Sequence, residues 1–134
     1  EADGCTALLT GDARSDHILK GLEAMGWLEN GTVHFDLIKL PHHGSDRNAT
    51  KTFFKKVTAD RYLISADGKN GNPDLATLIW IVEAAQAREQ EITIFLTNST
   101  QSTVKLEEEY PPDEYGYTLE YRPEEEAYLT VELA

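Results

Sequence analysis

The chain has 134 residues, one ordinary domain or half of a larger one, and its 40% hydrophobic and 27% charged residues fit a globular protein with a modest core. One cysteine, Cys5, excludes an internal disulfide, and no run reaches the roughly 18 apolar residues that read as a bilayer span, so no membrane insertion and a cytoplasmic location are expected. The formal charge of -12 is uneven: from Glu107 onward ten acidic residues stand against one basic one, Arg122, which argues against polyanion binding by the tail but not by the first 106 residues, with fourteen acidic and eleven basic.

A strand is needed almost immediately after Glu1, so the chain reads as a piece of a longer reading frame or a processed product. The apolar residues 5–11 predict a buried strand with Cys5 packed in the core, ending in Thr10-Gly11-Asp12. Ser15 opens a helix with Ile18, Leu19, Leu22 and Met25 on one face and Gly26 at its C-terminal cap. Asn30-Gly31 marks a turn before a second strand, 35–40, which Pro41 stops. The loop His42-His43-Gly44-Ser45 follows, and Ser45 or Asn48 can cap a short helix carrying Phe53, Phe54 and Val57. Residues 62–65 predict a third strand and 67–73 a loop. Asp74 caps the longest helix, to about Arg88, with Leu75, Leu78, Ile79, Val82 and Ala85 inward, and residues 92–96 form a fourth strand. This β-α-β-α-β-α-β order implies an α/β fold with a largely parallel sheet. Beyond Thr97 the pattern changes. Residues 117–121 and 128–133 alternate like half-exposed strands and suggest a hairpin, while 107–114 and 123–126 read as acidic, exposed and mobile segments. The expected division is 1–102 and an acidic tail, 103–134.

Open parallel sheets bind ligands beyond the C-terminal ends of their strands. Asp12 follows the first strand, His42 and His43 the second, and residues 67–72 the third, so metal-capable or polar side chains converge on one edge. A carboxylate after Gly11 can bridge two divalent ions; read alone, it can equally serve a helix N-terminus. Neutral imidazole is a common ligand for zinc-like ions, and adjacent residues of extended chain point opposite ways, so one of the two histidines is expected to ligate. His17 and His34 read as helix-surface and loop residues. Lys39, Arg47, Lys51, Lys55 and Lys56 lie near the His loop, as a phosphate-facing patch or a solvated helix face.

Taken together, "LLTGD" and, thirty residues on, "DLIKLPHHGS" resemble the metallo-β-lactamase superfamily, especially the hydrolase domain of competence DNA-uptake proteins and their stand-alone relatives. That family has a strand ending in TGD, a helix, and a strand of the form D-x-x-K-x-x-HHGS; Asp36, Lys39, His42, His43, Gly44 and Ser45 fill those places, and the similarity covers about residues 5–97. The resemblance implies half of an αββα sandwich with an added acidic β-rich tail. It implies part of a hydrolase that cleaves a phosphodiester, nucleic acid included, through a metal-bound hydroxide. Asp12, His42 and His43 would be catalytic metal ligands and Ser45 and Asn72 would contact substrate, with zinc or manganese as the metal and two ions in a complete site. Asn72 stands where relatives have a histidine before the proline, and the H-x-H-x-D-H half of the site is absent from the sequence. The chain alone would therefore hold an incomplete metal set or none, and an N-terminal half, a partner chain or a second copy is expected to complete it. Leu8, Ile38, Leu40 and Ile64 are expected on the sheet face that such a partner, or the C-terminal hairpin, covers. Two alternatives share the scaffold: an inactive binding or scaffolding module, and a lactonase, thioesterase or β-lactam hydrolase.

Overall fold

The computed structural model describes residues 4–10, 14–28, 31–40, 50–65 and 73–122. In chain order the elements are β1 (Ala7–Leu9), α1 (Ser15–Ala24), β2 (Val33–Lys39), α2 (Lys51–Lys56), β3 (Val57–Ile64), α3 (Leu75–Ala87), β4 (Ile92–Leu96), α4 (Gln101–Glu109), α5 (Pro112–Tyr115) and β5 (Tyr117–Tyr121). The strands form one sheet in the order β1-β2-β3-β4-β5, and every neighbouring pair is parallel. Each connection therefore steps one strand in the same direction. Crossovers of one hand then put the helices on a single face, and α1 touches α2, α2 touches α3, and α3 touches α4 and α5 within that layer.

The core lies between this layer and the sheet. Ile38, Leu40, Tyr62, Ile64, Ile94 and Leu96 pack against Phe53 and Phe54 of α2, Leu78, Ile81, Val82 and Ala85 of α3, and Leu106 of α4. Phe54 meets Tyr62 edge to face at 6.3 Å, the geometry that aromatic quadrupoles favour. The alternation slips by one residue in both central strands. Phe35 and Ile38 are both in the core, as are Ala59 and Tyr62, with Asp36-Leu37 and Asp60-Arg61 between them. At the slip in β2, the Asp36 and Leu37 amides both donate to the Thr6 carbonyl (2.9 and 3.2 Å), two residues opposite one, as in a bulge.

Helix boundaries have local causes. Thr50 caps α2, its hydroxyl accepting from the Phe53 amide at 3.2 Å, so the cap is neither Ser45 nor Asn48, both of which lie outside the described residues. Both α1 and α3 end in Schellman geometry: the Trp27 amide donates to the Leu22 carbonyl and the Gln90 amide to the Ala85 carbonyl. The left-handed position is Gly26 in α1 (φ 74°), as the sequence suggests, but Glu89 in α3 (φ 54°).

Several expectations change. The acidic stretch 107–114, expected to be exposed and mobile, falls largely within α4 and α5. The strand at 117–121 is present as β5, but it pairs parallel with β4; its expected hairpin partner, 128–133, lies outside the described residues. β3 starts at Val57, five residues early, because α2 runs directly into it. Met25 is 63% exposed instead of facing the core, and Cys5 is half-buried outside it. Leu8, Ile38, Leu40 and Ile64 do share a face, but it is the helix-covered one. The opposite face carries Leu9, Leu37, Leu63 and Phe95, which belong to no part of the core between sheet and helices.

Candidate functional site

Parallel pairing brings the C-terminal ends of all five strands to one edge, and hydrogen bonds tie those ends together. The Thr10 hydroxyl donates to the Lys39 carbonyl at 2.6 Å, joining the end of β1 to the end of β2. The Leu40 amide donates to the Leu63 carbonyl (3.0 Å), the Thr97 amide to that of Ile64 (3.2 Å), and the Arg122 amide to that of Leu96 (2.9 Å). Beyond β4, Thr100 caps α4 with a reciprocal capping box, and the Ser102 hydroxyl donates to the Pro73 carbonyl at 2.6 Å. The start of α4 is thereby attached to the segment that leads into α3.

The candidate residues follow these anchored ends. Asp12 is two residues beyond Thr10, His42 two beyond Leu40, and Asn72 immediately precedes Pro73; Asp12, His42, His43, Ser45 and Asn72 all lie outside the described residues. Among the described residues no group of three or more His, Cys, Asp or Glu side chains is placed to hold a metal. The donor set in the sequence, one carboxylate and two imidazoles, fits a borderline divalent ion such as zinc but falls short of its usual four ligands.

Within the DxxK portion of the second motif, Asp36 has a definite place. Its Oδ2 accepts from the Thr6 amide at 2.7 Å and lies 3.4 Å from the Thr6 hydroxyl. Since the Thr6 carbonyl also receives two amides of β2, residue 6 is held from both sides. Asp36 and Thr6 thus fix the first strand against the second. Thr6 has no motif to announce it, and the role of Thr10, the first residue of TGD, as a tie to the Lys39 carbonyl is visible only once β1 is paired with β2.

His34 sits on β2, not in a loop, at the other end of the sheet. Its Nδ1 is 2.7 Å from the Thr58 hydroxyl and its Nε2 is 3.1 Å from Asp60 Oδ1. This hydroxyl–imidazole–carboxylate row looks like a relay, but His34 and Thr58 are direct register partners and the His34 and Asp60 side chains are more than 40% exposed. Gln90 also donates to Asp60, and Arg88 Nε to Gln90 at 2.5 Å, so the row continues as a surface network that joins β2, β3 and the end of α3. His17 is exposed on α1. The basic patch divides: Lys39 is exposed on the sheet, Lys51 and Lys55 of α2 line a cavity with α3, Lys56 is exposed outside that cavity, and Arg47 lies outside the described residues.

No helix among the described residues is long and apolar enough to cross a membrane. No protein-family model matches the chain, and no solved structure does. Over 74 residues, 53% of its length, the chain is 34% identical to microtubule-associated protein 1A of Rattus norvegicus, and equally to that of Mus musculus and of Homo sapiens. It spans 3% of the length of those relatives.

Proposed function

We propose that this chain is the C-terminal half of a metallo-β-lactamase-like, metal-dependent hydrolase that acts on a phosphodiester. One observation carries the reading. Three consecutive parallel strands end side by side at Leu9, Lys39 and Ile64, and in the sequence the TGD and HHGS motifs follow the first two ends. That is the edge where parallel sheets hold ligands. Asp12 and one of His42 and His43 would hold the metal, and the other histidine, Ser45 and Asn72 offer hydrogen bonds to substrate oxygens. A divalent ion held there supplies Lewis acidity and acidifies water to a pKa of about 7. The chain's own contribution is positional: Asp36, Thr6 and Thr10 keep the two motif strands in register.

The missing donors are to come from a second layer on the helix-free sheet face. There Leu9, Lys39, Leu63, Phe95 and Glu120 form one row across the sheet, exposed at the Leu9 end (71%) and buried at Phe95 (8%). Dye binding or self-association of the isolated chain, suppressed by Leu9→Glu, is the expected result; a compact monomer that binds no dye would count against this face as an interface. The activity is tested on the longest natural reading frame with bis(4-nitrophenyl) phosphate. Asp12→Ala and the His42→Ala/His43→Ala pair should each lower the rate by about 100-fold or more, at or beyond the upper end of outer-shell ligand losses. Equal rates in all three proteins would remove the proposal.

The similarity to microtubule-associated protein 1A favours a second reading, a non-catalytic module that keeps the fold and binds a protein surface. Co-sedimentation with microtubules, together with no hydrolysis, is its expected signature.

A further inference from the structure

We propose that the groove between α2 and α3 binds a small ligand joining a planar ring to a phosphate, of the nucleoside monophosphate class. The groove holds a cavity of about 410 Å³ lined by Lys51, Lys55, Thr58, Trp80, Glu83 and Arg88, a size within the range of small-molecule sites. In a chain of net charge -12, three cations and one carboxylate meet here. Lys51 and Lys55 are four apart on α2 and so share a helix face. Neither has a carboxylate partner among the described residues, and neither does Arg88.

Arg88 is already oriented. Its Nη2 donates to the Ala59 carbonyl and the Tyr62 hydroxyl, both at 3.3 Å, and Nε to Gln90, while Nη1 is buried without a hydrogen-bond partner among the described residues. A guanidinium held this way keeps a positive charge at the cavity, where Glu83 is the one carboxylate in the lining against three cations. Trp80 is half-buried against the core and adds the one aromatic surface in the lining, suited to stacking a base. The larger cavity, about 750 Å³ beside β5, has the reverse character: Asp60, Glu91, Glu107 and Asp113 line it against a single Arg61, which disfavours anions.

Calorimetric titration of the full chain with adenosine 5′-monophosphate, adenosine, inorganic phosphate and a glutamate-rich peptide tests the site. The monophosphate should bind at least about 10-fold tighter than adenosine or phosphate alone, because ring and charge are both used. Lys51→Ala/Lys55→Ala should weaken it by about 10-fold, as should Trp80→Leu, and added salt should weaken it further. Glu83→Gln should tighten it, a gain that misfolding cannot imitate. Absence of saturable binding, equal affinity for adenosine, binding of the peptide in preference to the monophosphate, or indifference to both the lysine and Glu83 changes would each overturn the assignment. None of these readouts involves the metal or hydrolysis.

Discussion

Asp36 shows how a motif residue can matter without touching substrate. Its carboxylate takes the Thr6 amide at 2.7 Å, in a strand of only three residues that has few other bonds to hold it. Asp36→Ala would leave that amide without its acceptor, a loss of about 1 to 3 kcal/mol where the group stays shielded from water. Urea unfolding should report that loss, and hydrogen exchange should place it on residues 6–9; unchanged protection there would show that β1 is held otherwise. Little of this was legible beforehand. The spacing of Asp36 to Lys39 and His42 is a linear pattern, whereas its partner lies thirty residues upstream and becomes a neighbour only through parallel pairing. His34 looks like a loop residue in the sequence for a related reason: it precedes the apolar run 35–40, and its pairing with Thr58 is what makes it part of a strand.

Among the elements, those with a strong apolar signal were readable: α1 through its amphipathic spacing, and α3 and β4 because they are dense in apolar residues between clear breakers. α4 was missed. It buries only Thr103 and Leu106, and its last turn is Glu107-Glu108-Glu109, which resembles a solvated acidic run more than a helix. Its start depends on a Thr100–Thr103 capping box in place of the Ser/Thr-x-x-Glu form that a sequence reveals. The end of α3 carries a testable cost. Glu89 occupies the left-handed position of a Schellman turn that glycine fills in α1, and a side chain there is strained. Glu89→Gly should raise stability by about 0.5 to 1 kcal/mol, net of the entropy that glycine adds to the unfolded chain. A lower urea midpoint in that variant would mean that the Glu89 side chain contributes more than its backbone strain costs.

At the scale of the molecule, the described residues form one sheet with helices on a single face, which accounts for both the core and the common edge of strand ends. Two buried phenols couple that core to pH. Burial pushes the Tyr62 hydroxyl upward, opposed in part by Arg88, and burial beside Glu107 and Tyr121 pushes Tyr117 upward as well. Each is raised in the folded state, so its contribution is fully present below the unfolded value of about 10 and is lost as pH rises through it toward the folded value. Stability should therefore fall above about pH 10, and absorbance titration should show two of the six tyrosines ionising only with unfolding. Smooth titration of all six near pH 10 would contradict the packing of Tyr62 and Tyr117. The parallel order was legible from the alternation of strands and helices, and the common edge followed from it. The composition of the helix-free face was not, because the one-residue slips in β2 and β3 change which side chains lie on it.

The central claim is that Asp12 and the His42-His43 pair contribute to a divalent metal site completed from outside this chain. Elemental mass spectrometry on the longest natural reading frame tests it most directly. The expected result is two equivalents of metal per chain, lost in Asp12→Ala while the fold is retained by circular dichroism. Absence of bound metal in the parent protein, after loading with zinc or manganese, would contradict the claim and leave the non-catalytic binding module as the account of this fold.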